Sequence, residues 1–406
     1  MTTTINTNVN SLNAQRNLMA SGGSLATSMQ RLSSGLRVNS AKDDAAGLAI
    51  AERFSSQIKG LSVGARNAND GISLAQTAEG ALGKVGDMLQ RMRELAVQSS
   101  NSTNSKADRA ALQSEVSQLT DEVDRIAKQT SFNGKKVLDG TFAGAAFQVG
   151  ANAGDSITVG ALTNSSAKGL ADISYSFDQT ASAVDASSVS TLATMASNVL
   201  TIAITGGTTV DLGAIAAASS GTERMGQVVE AINRKTADTG VTAFLSQNDT
   251  GTYRIDLMSE KLQSSGDATI VTLSAGFTTA TTGMTGAAIA SKIDAATSTT
   301  DALGIDTLSI DTQRNAWVAI KKLDAAIGQV NSARAQLGAL QSRFESATGN
   351  IAISVENLSA SRGRIVDADF AQETANLSRT QILQQAGTAM VAQANKLPQS
   401  VLSLLQ

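Results

Sequence analysis

Small and apolar residues recur at every third or fourth position through both outer parts of the chain. The longest such stripe runs from Leu48 to Ala96 and predicts one amphipathic helix of roughly 80 Å, at about 1.5 Å per residue. After the polar turn 101–104, the spacing returns from Leu112 to Ile126 and predicts an antiparallel helix. A third stripe, from Ala316 to Leu358, predicts another long helix. We therefore expect a bundle built from opposite halves of the chain.

The two ends carry apolar stripes of their own, and neither has a partner in its own part of the sequence. Because each predicted helix has one apolar side, we expect the two terminal helices to pair with each other. Their predicted assembly positions share a spacing of three or four residues and are Ile5, Val9, Leu12, Leu32, Leu36, Leu383, Met390, Leu397, Val401 and Leu404.

The middle of the chain has a different pattern. Asn133-Gly134 is a hairpin dipeptide, and alternating residues predict strands at 147–149 and 156–159. Between Tyr175 and Ser298, 36 of the 124 residues are Ser or Thr and acidic residues outnumber basic ones by 11 to 6, so we expect a solvated module. Its predicted elements are strands at 199–204, 208–212, 241–245 and 253–258 and a short helix around 225–232.

These patterns predict a mainly α fold with an inserted α+β domain. The terminal coiled coil comprises residues 1–44 and 365–406. The long-helix bundle with a small β region comprises 45–174 and 299–364. The inserted, surface-exposed domain comprises 175–298.

Composition narrows the chemistry available. The chain has no Cys and no His, so thiolate nucleophiles, imidazole bases and the common transition-metal ligands are absent. Asp43-Asp44 is interpreted as the first turn of a helix rather than as an acid–base pair. The net charge of −3, without a run of Lys or Arg, argues against nucleic acid. We expect no catalytic residue, no cofactor, no metal and no enzyme activity.

Two features of the sequence bear on where the chain is located. The N-terminus lacks the basic and apolar regions of a secretory signal, and no stretch of 18 apolar residues occurs. These features predict no membrane insertion, and they leave two routes open. The chain stays in the cytosol, or it is exported without a cleaved signal.

Long and specific motifs occur in the segments 5–8, 31–37, 39–47, 66–71, 89–96, 132–138 and 398–405. These motifs resemble bacterial flagellin, and the resemblance covers roughly residues 1–174 and 299–406. The region 200–243 resembles the inserted motif of flagellins and hook-associated proteins. Trp317 departs from the family pattern, which has a small residue at the start of the third long helix.

The resemblance implies a structural subunit that polymerises into the extracellular flagellar filament for motility. It implies terminal helices in an inner tube, long helices around them and the middle facing outward. The implied partners are other copies of the chain, the type III flagellar export apparatus, a secretion chaperone, the cap and hook-junction proteins, and a host Toll-like receptor. For the receptor, the matching positions are Arg91, Leu95 and Glu115.

Two other interpretations stay open. A hook–filament junction protein would have similar termini, although the motifs after Asn39 and around Leu89 match flagellin better. A surface adhesin of flagellin-like build would hold a ligand on the middle domain. The weak aromatic content of 175–298 disfavours stacking sites for sugars there.

Overall fold

The computed structural model describes residues 8–171, 173, 175–177, 183–204, 208–247, 251–259, 271–284, 288–289, 292–293 and 304–404. The N-terminal part forms α1 (Val9–Ser34), α2 (Ala45–Ser99), α3 (Lys106–Gln129), β1 (Ser131–Phe132), β2 (Lys135–Lys136), β3 (Ala145–Gln148) and β4 (Ser156–Val159). The middle forms β5 (Tyr175–Phe177), a 3-10 turn (Ala186–Ser188), β6 (Thr201–Ile204), β7 (Val210–Asp211), α4 (Gly221–Arg234), α5 (Thr236–Thr239), β8 (Val241–Gln247), β9 (Tyr253–Ser259), β10 (Val271–Leu273), α6 (Thr279–Thr282), β11 (Ala288–Ile289) and β12 (Lys292–Ile293). The C-terminal part forms α7 (Gln313–Val366) and α8 (Phe370–Leu404). The predicted mainly α fold is confirmed.

The chain forms two compact units whose boundaries fall within α2, β3, β4 and α7. The first unit comprises Met1–Asp70, Phe147–Ile157 and Phe344–Gln406, and the second comprises Gly71–Ala146 and Thr158–Arg343. The described part of the predicted inserted domain lies wholly in the second unit. The three predicted domain boundaries remain predictions.

In the first unit, polar side chains cap the N-terminal ends of α1 and α2. Asn8 accepts a hydrogen bond from the Ser11 amide and caps α1, which ends at Gly35 in the left-handed conformation (φ 73°). Asp44 Oδ1 accepts from the Gly47 amide at 2.8 Å, as expected for the start of α2. Hydrogen bonding, first to the Ser40 side chain and then to its amide, lowers the pKa of Asp43. The interpretation of Asp43-Asp44 as a helix-starting turn is therefore confirmed for Asp44, whereas Asp43 lies in the turn before α2 and hydrogen-bonds to Ser40.

The loop after β3 lies directly against α2. Gly64 faces the carbonyl oxygen of Val149 so closely that a β-carbon on the glycine would lie 2.3 Å from it. One turn later, Asn67 Nδ2 donates to the Gln148 carbonyl oxygen at 2.8 Å. Phe147 packs edge to face on Phe344 of α7, with ring centroids 5.5 Å apart. The glycine therefore allows the backbone approach that the surrounding contacts hold in place.

In the second unit, α2, α3 and α7 form the predicted helical core. The turn before α3 ends in a capping box, in which Ser105 and Asp108 hydrogen-bond reciprocally. The predicted hairpin at Asn133-Gly134 is confirmed, because both residues have positive φ (48° and 77°) between β1 and β2. The buried apolar residues of the three helices include Leu82, Leu89, Met92, Val116, Val123, Leu323, Val330 and Leu337.

The middle of the chain forms two four-stranded sheets and has its own core. The strand orders are β11-β10-β6-β7 and β12-β5-β9-β8. The predicted strands near 201, 210, 241 and 253 and the predicted helix α4 are confirmed, whereas β5, β10, β11 and β12 were not predicted. The core of this region gathers apolar side chains from both sheets and from α4, among them Leu200, Ile202, Met225, Val228, Ile232, Leu257 and Phe277.

Candidate assembly surface on the terminal helices

The helices α1 and α8 pair along a narrow seam of mostly small residues. On α1, the less exposed positions follow a strict heptad: Ser11, Ala14, Leu18, Ser21, Leu25, Ser28 and Leu32. On α8, the matching positions are Glu373, Leu377, Thr380, Gly387, Val391 and Ala394. Alternate steps of three and four residues are the geometry of a coiled coil.

Contacts along the seam fix its direction. Ser11 Oγ donates to Asn395 Oδ1 at 2.7 Å at one end, and Arg31 lies 4.0 Å from Glu373 at the other. Between them, Leu18 sits opposite Gly387, where an added β-carbon would come within 3.0 Å of the leucine. The two helices are therefore antiparallel. The prediction that the terminal helices pair with each other is confirmed.

The large apolar side chains of these helices lie mainly outside the seam. Met19 is 78% exposed and Met390 is 64% exposed. Among the residues whose side chains the structure describes, the other exposed large apolar residues of the pair are Val9, Leu12, Met29, Phe370, Ile382 and Leu383. We call these eight residues the outer apolar face.

This arrangement corrects the expected use of the apolar stripes, which were predicted to face each other across the pair. Ser11, Ser28 and Thr380 are buried, while Val9, Leu12 and Met390 are exposed. Small residues let the two helices approach, and the larger apolar residues remain on the surface. A hydrophobicity pattern alone favours large side chains in the seam, so the buried polar positions Ser11, Ser28 and Thr380 were missed.

The other predicted assembly positions fall into three groups. Leu32 is half-buried in the seam, and half-buried Leu36 forms an isolated backbone bridge with Asp367. Leu383 belongs to the outer apolar face. Ile5 lies outside the described residues, and for Leu397, Val401 and Leu404 the helical backbone is described but not the side chain.

A groove of about 620 Å³ runs along the terminal pair. Leu383, Met390 and Ala394 of α8 line it together with Asn10, Asn13 and Asn17 of α1. The groove therefore combines exposed apolar surface with amide groups that donate and accept hydrogen bonds. Such a surface is suited to receiving another helix.

The predicted receptor patch in the second unit is only partly exposed. Arg91 Nε donates to Glu115 Oε1 at 2.9 Å, and Arg91 Nη1 lies 3.0 Å from Glu94 Oε2. Hydrogen bonds to Glu94 and then to Glu115 raise the pKa of Arg91 above its usual value. Leu95 is only 1% exposed, so it belongs to the core instead of flanking it. The expected apolar anchor beside Arg91 is therefore absent from the surface in this arrangement.

The part of the chain that the structure describes holds neither a metal-binding cluster nor a membrane-spanning helix. Within it, no group of three or more Asp and Glu side chains is placed to hold a metal ion. None of the described helices is both long and apolar enough to span a bilayer.

Paired terminal helices with an outward apolar face are characteristic of a subunit that assembles with copies of itself. Family models match most of the chain: the bacterial flagellin N-terminal helical region at residues 5–143, the bacterial flagellin C-terminal helical region at 320–405 and the flagellin hook IN motif at 200–261. Among curated relatives, flagellin A of Vibrio anguillarum is 42% identical and B-type flagellin of Pseudomonas aeruginosa is 37% identical, each over 100% of both chains. The chain belongs to the bacterial flagellin family, a family of structural proteins, and is a subunit of the extracellular flagellar filament.

Solved structures resemble the chain at lower similarity. FliC from Burkholderia pseudomallei shares 27% identity, with a TM-score of 0.36, over 67% of this chain and 99% of that chain. Bacillus cereus flagellin shares 20% identity, with a TM-score of 0.33, over 70% of this chain and 88% of that chain.

Proposed function

We propose that the outer apolar face of the terminal coiled coil carries the contacts that polymerise this flagellin. The observation behind the proposal is that the pair buries serine, threonine and alanine while exposing methionine, leucine and valine. Burying one large apolar side chain contributes ~1.5 to 3 kcal/mol. Eight such side chains supply a driving force that the isolated subunit leaves unused, so packing against neighbouring subunits is favourable.

The contacts join different surfaces of successive subunits and do not close into a ring. Head-to-tail association of this kind produces a helical filament. The predicted positions Ile5, Leu397, Val401 and Leu404 are included in this proposal on the spacing of the sequence alone. The role of the subunit is thus mechanical and non-catalytic.

The proposal is tested with a double variant, Leu383→Gln/Met390→Gln. Both side chains are exposed, so the monomer should retain its helicity and keep its stability within ~0.5 kcal/mol. Losing ~1.5 kcal/mol at each site should raise the critical concentration for polymerisation about 100-fold. The measurement is sedimentation of filaments over a range of subunit concentrations.

The matched control is Val199→Gln, which replaces an exposed apolar residue of the inserted region. It should polymerise at the wild-type critical concentration. If the double variant also does so, the outer apolar face is not the assembly surface.

Export and capping partners are part of the same proposal. We infer that the chain leaves the cell through the flagellar type III export apparatus with a secretion chaperone, and meets the hook-junction and cap proteins outside. Family membership supports this route. A chain without Cys and with a single Pro also refolds without disulfide exchange and with at most one slow prolyl isomerisation.

A second candidate function is recognition by a host Toll-like receptor at the Arg91–Glu115 pair. The pair supports it because an arginine positioned by two carboxylates, on an exposed stretch of α2, is a preorganised interface group. Leu95 is buried and contributes indirectly, by packing this part of α2 into the core. We expect the surface to be covered between subunits in the filament, so monomer signals and intact polymer does not.

A receptor-reporter assay on monomeric Arg91→Ala tests this second function. The matched control is Arg125→Ala, because Arg125 forms a comparable exposed pair with Glu122 on α3 at 2.6 Å. Reduced potency of Arg91→Ala alone supports the patch. Equal potency of both folded variants and wild type would contradict receptor recognition at the Arg91–Glu115 pair. Leu95→Ala is less informative, because truncating a buried leucine costs ~2 to 5 kcal/mol of stability.

A further inference from the structure

Trp317, where the chain departs from the family pattern, contacts the inserted region. It is the single tryptophan of the chain and lies near the start of α7. Its ring packs edge to face on Phe244 of β8, with centroids 6.3 Å apart and planes inclined by 65°. Lys321 Nζ, one turn further along α7, lies 5.8 Å from the centre of the Trp317 ring. A residue of the long helix therefore meets a strand of the insert.

The sheet that contains Phe244 has two covered faces. Val241 and Ala243 of β8, with Ile255 and Leu257 of β9, belong to the core of the insert. Side chains on a strand alternate between the two faces, so Phe244 and Met258 are directed away from that core. With Tyr175 of β5, they pack against Trp317 and Val318 of α7.

The burial pattern of β9 also indicates that both faces of the sheet are covered. A strand with one solvent-exposed face shows alternating burial. In β9, all five residues from Ile255 to Ser259 are buried, including Asp256. Asp256 lies opposite Phe244 in the register and accepts a hydrogen bond from Ser246 Oγ at 3.1 Å. Without α7 over this face, Met258 and Phe244 would be open to water.

The contact is local, because the packing beside it is incomplete. A cavity of about 140 Å³ lies next to Tyr175 and Met258 and is bounded on the α7 side by Arg314, Val318 and Lys322. The core of the insert does not depend on this junction, since its apolar cluster is formed within the insert itself. Trp317 and Phe244 form an aromatic contact across this junction.

We propose that Trp317 is a latch that holds the folded insert in a fixed orientation on the start of α7. With the latch closed, the insert and the long helices move as one body, and forces on the insert pass into α7. With the latch removed, the insert stays folded but reorients about its connections. This device is independent of the assembly surface on the terminal helices.

The absence of cysteine permits a direct distance measurement on the full chain. Spin labels are placed on cysteines introduced at Ser114 of α3 and Glu230 of α4, both exposed. With Trp317 present, the inter-label distance distribution should be narrow. Trp317→Ala should broaden it severalfold, while Trp317→Phe, which keeps an apolar ring, should keep it narrow. A narrow distribution in Trp317→Ala with the wild-type mean would overturn the latch.

The opposite partner provides a second, independent test. Phe244→Ala leaves Trp317 in place and lies on the face away from the core of the insert, so the insert should stay folded by circular dichroism. It should broaden the same distance distribution and shift the emission of Trp317 to longer wavelength, because the ring loses its cover. Unchanged emission and an unchanged distribution in this folded variant would contradict the proposal.

Discussion

Small residues determine where two segments of this chain can approach each other closely. Gly64 admits the Val149 carbonyl, and Gly387 admits Leu18 across the terminal pair. The sequence shows that glycines and serines are present, but a one-dimensional pattern cannot distinguish a glycine in contact from one facing water. Gly80 lies in the same helix as Gly64, yet a β-carbon added to Gly80 would meet nothing within 4 Å.

Gly64 and Gly80, both in α2, should respond oppositely to replacement by alanine. Gly80→Ala should stabilise the monomer by up to ~1 kcal/mol, because alanine is the better helix former. Gly64→Ala should destabilise it by ~1 to 3 kcal/mol, because the new methyl group displaces the loop after β3. Urea unfolding of the monomer measures both. Equal stabilisation by the two changes would contradict the close approach at Gly64.

The capping box at the start of α3 should give a defined pH dependence. Hydrogen bonds from the Ser105 side chain and amide lower the pKa of Asp108 below its usual value of 3.8. A group with a lowered pKa in the folded state contributes its stability above the unfolded value and loses it as pH falls through the folded value. Asp108→Asn should therefore be less stable than wild type at about pH 7, with the difference fading below pH 3.8. A difference that persists unchanged at the acid end would contradict this role.

At the scale of elements, periodicity predicted the helices well and their pairing surfaces poorly. The stripes of α2, α3 and α7 are long, and their apolar residues are buried, so pattern and structure agree. In α1 and α8, the most buried seam positions include Ser11, Ser28 and Thr380, and many of the large apolar residues are exposed. Short strands such as β5 and β11 were missed because two or three residues are too few to establish alternation. The register of the insert sheets depends on pairings that a single sequence does not reveal.

The weak seam makes a prediction about the free subunit. Because little apolar surface is buried between α1 and α8, ordering entropy is barely offset, and this pair should open more often than the bundle. Hydrogen exchange on monomer should be faster at 9–34 and 370–404 than in the middle of α2. On filaments, protection of the terminal helices should rise to that of α2. Equal protection in monomer would contradict the seam as the weak element.

At the scale of the whole molecule, the chain divides tasks between surfaces. The terminal helices expose apolar side chains, which we propose pack against neighbouring subunits. The long helices and the small β strands form the scaffold, and the middle region has its own core. Family membership was predicted from the motifs at the two ends and is confirmed. The latch at Trp317 was beyond sequence reasoning, because its partner Phe244 is remote in the chain and belongs to a strand whose outer face gave no signal.

We assign polymerisation to the paired terminal helices and not to the insert. Deleting each region in turn distinguishes their contributions. Electron microscopy of purified, concentrated subunits is the decisive measurement on three variants: deletions of residues 1–36, of residues 383–406 and, with a short linker, of residues 175–298. We expect a soluble, partly helical monomer from either terminal deletion and long filaments from the internal one. Long filaments from both terminal deletions, or no filaments from an internal deletion that keeps its helicity, would contradict this assignment.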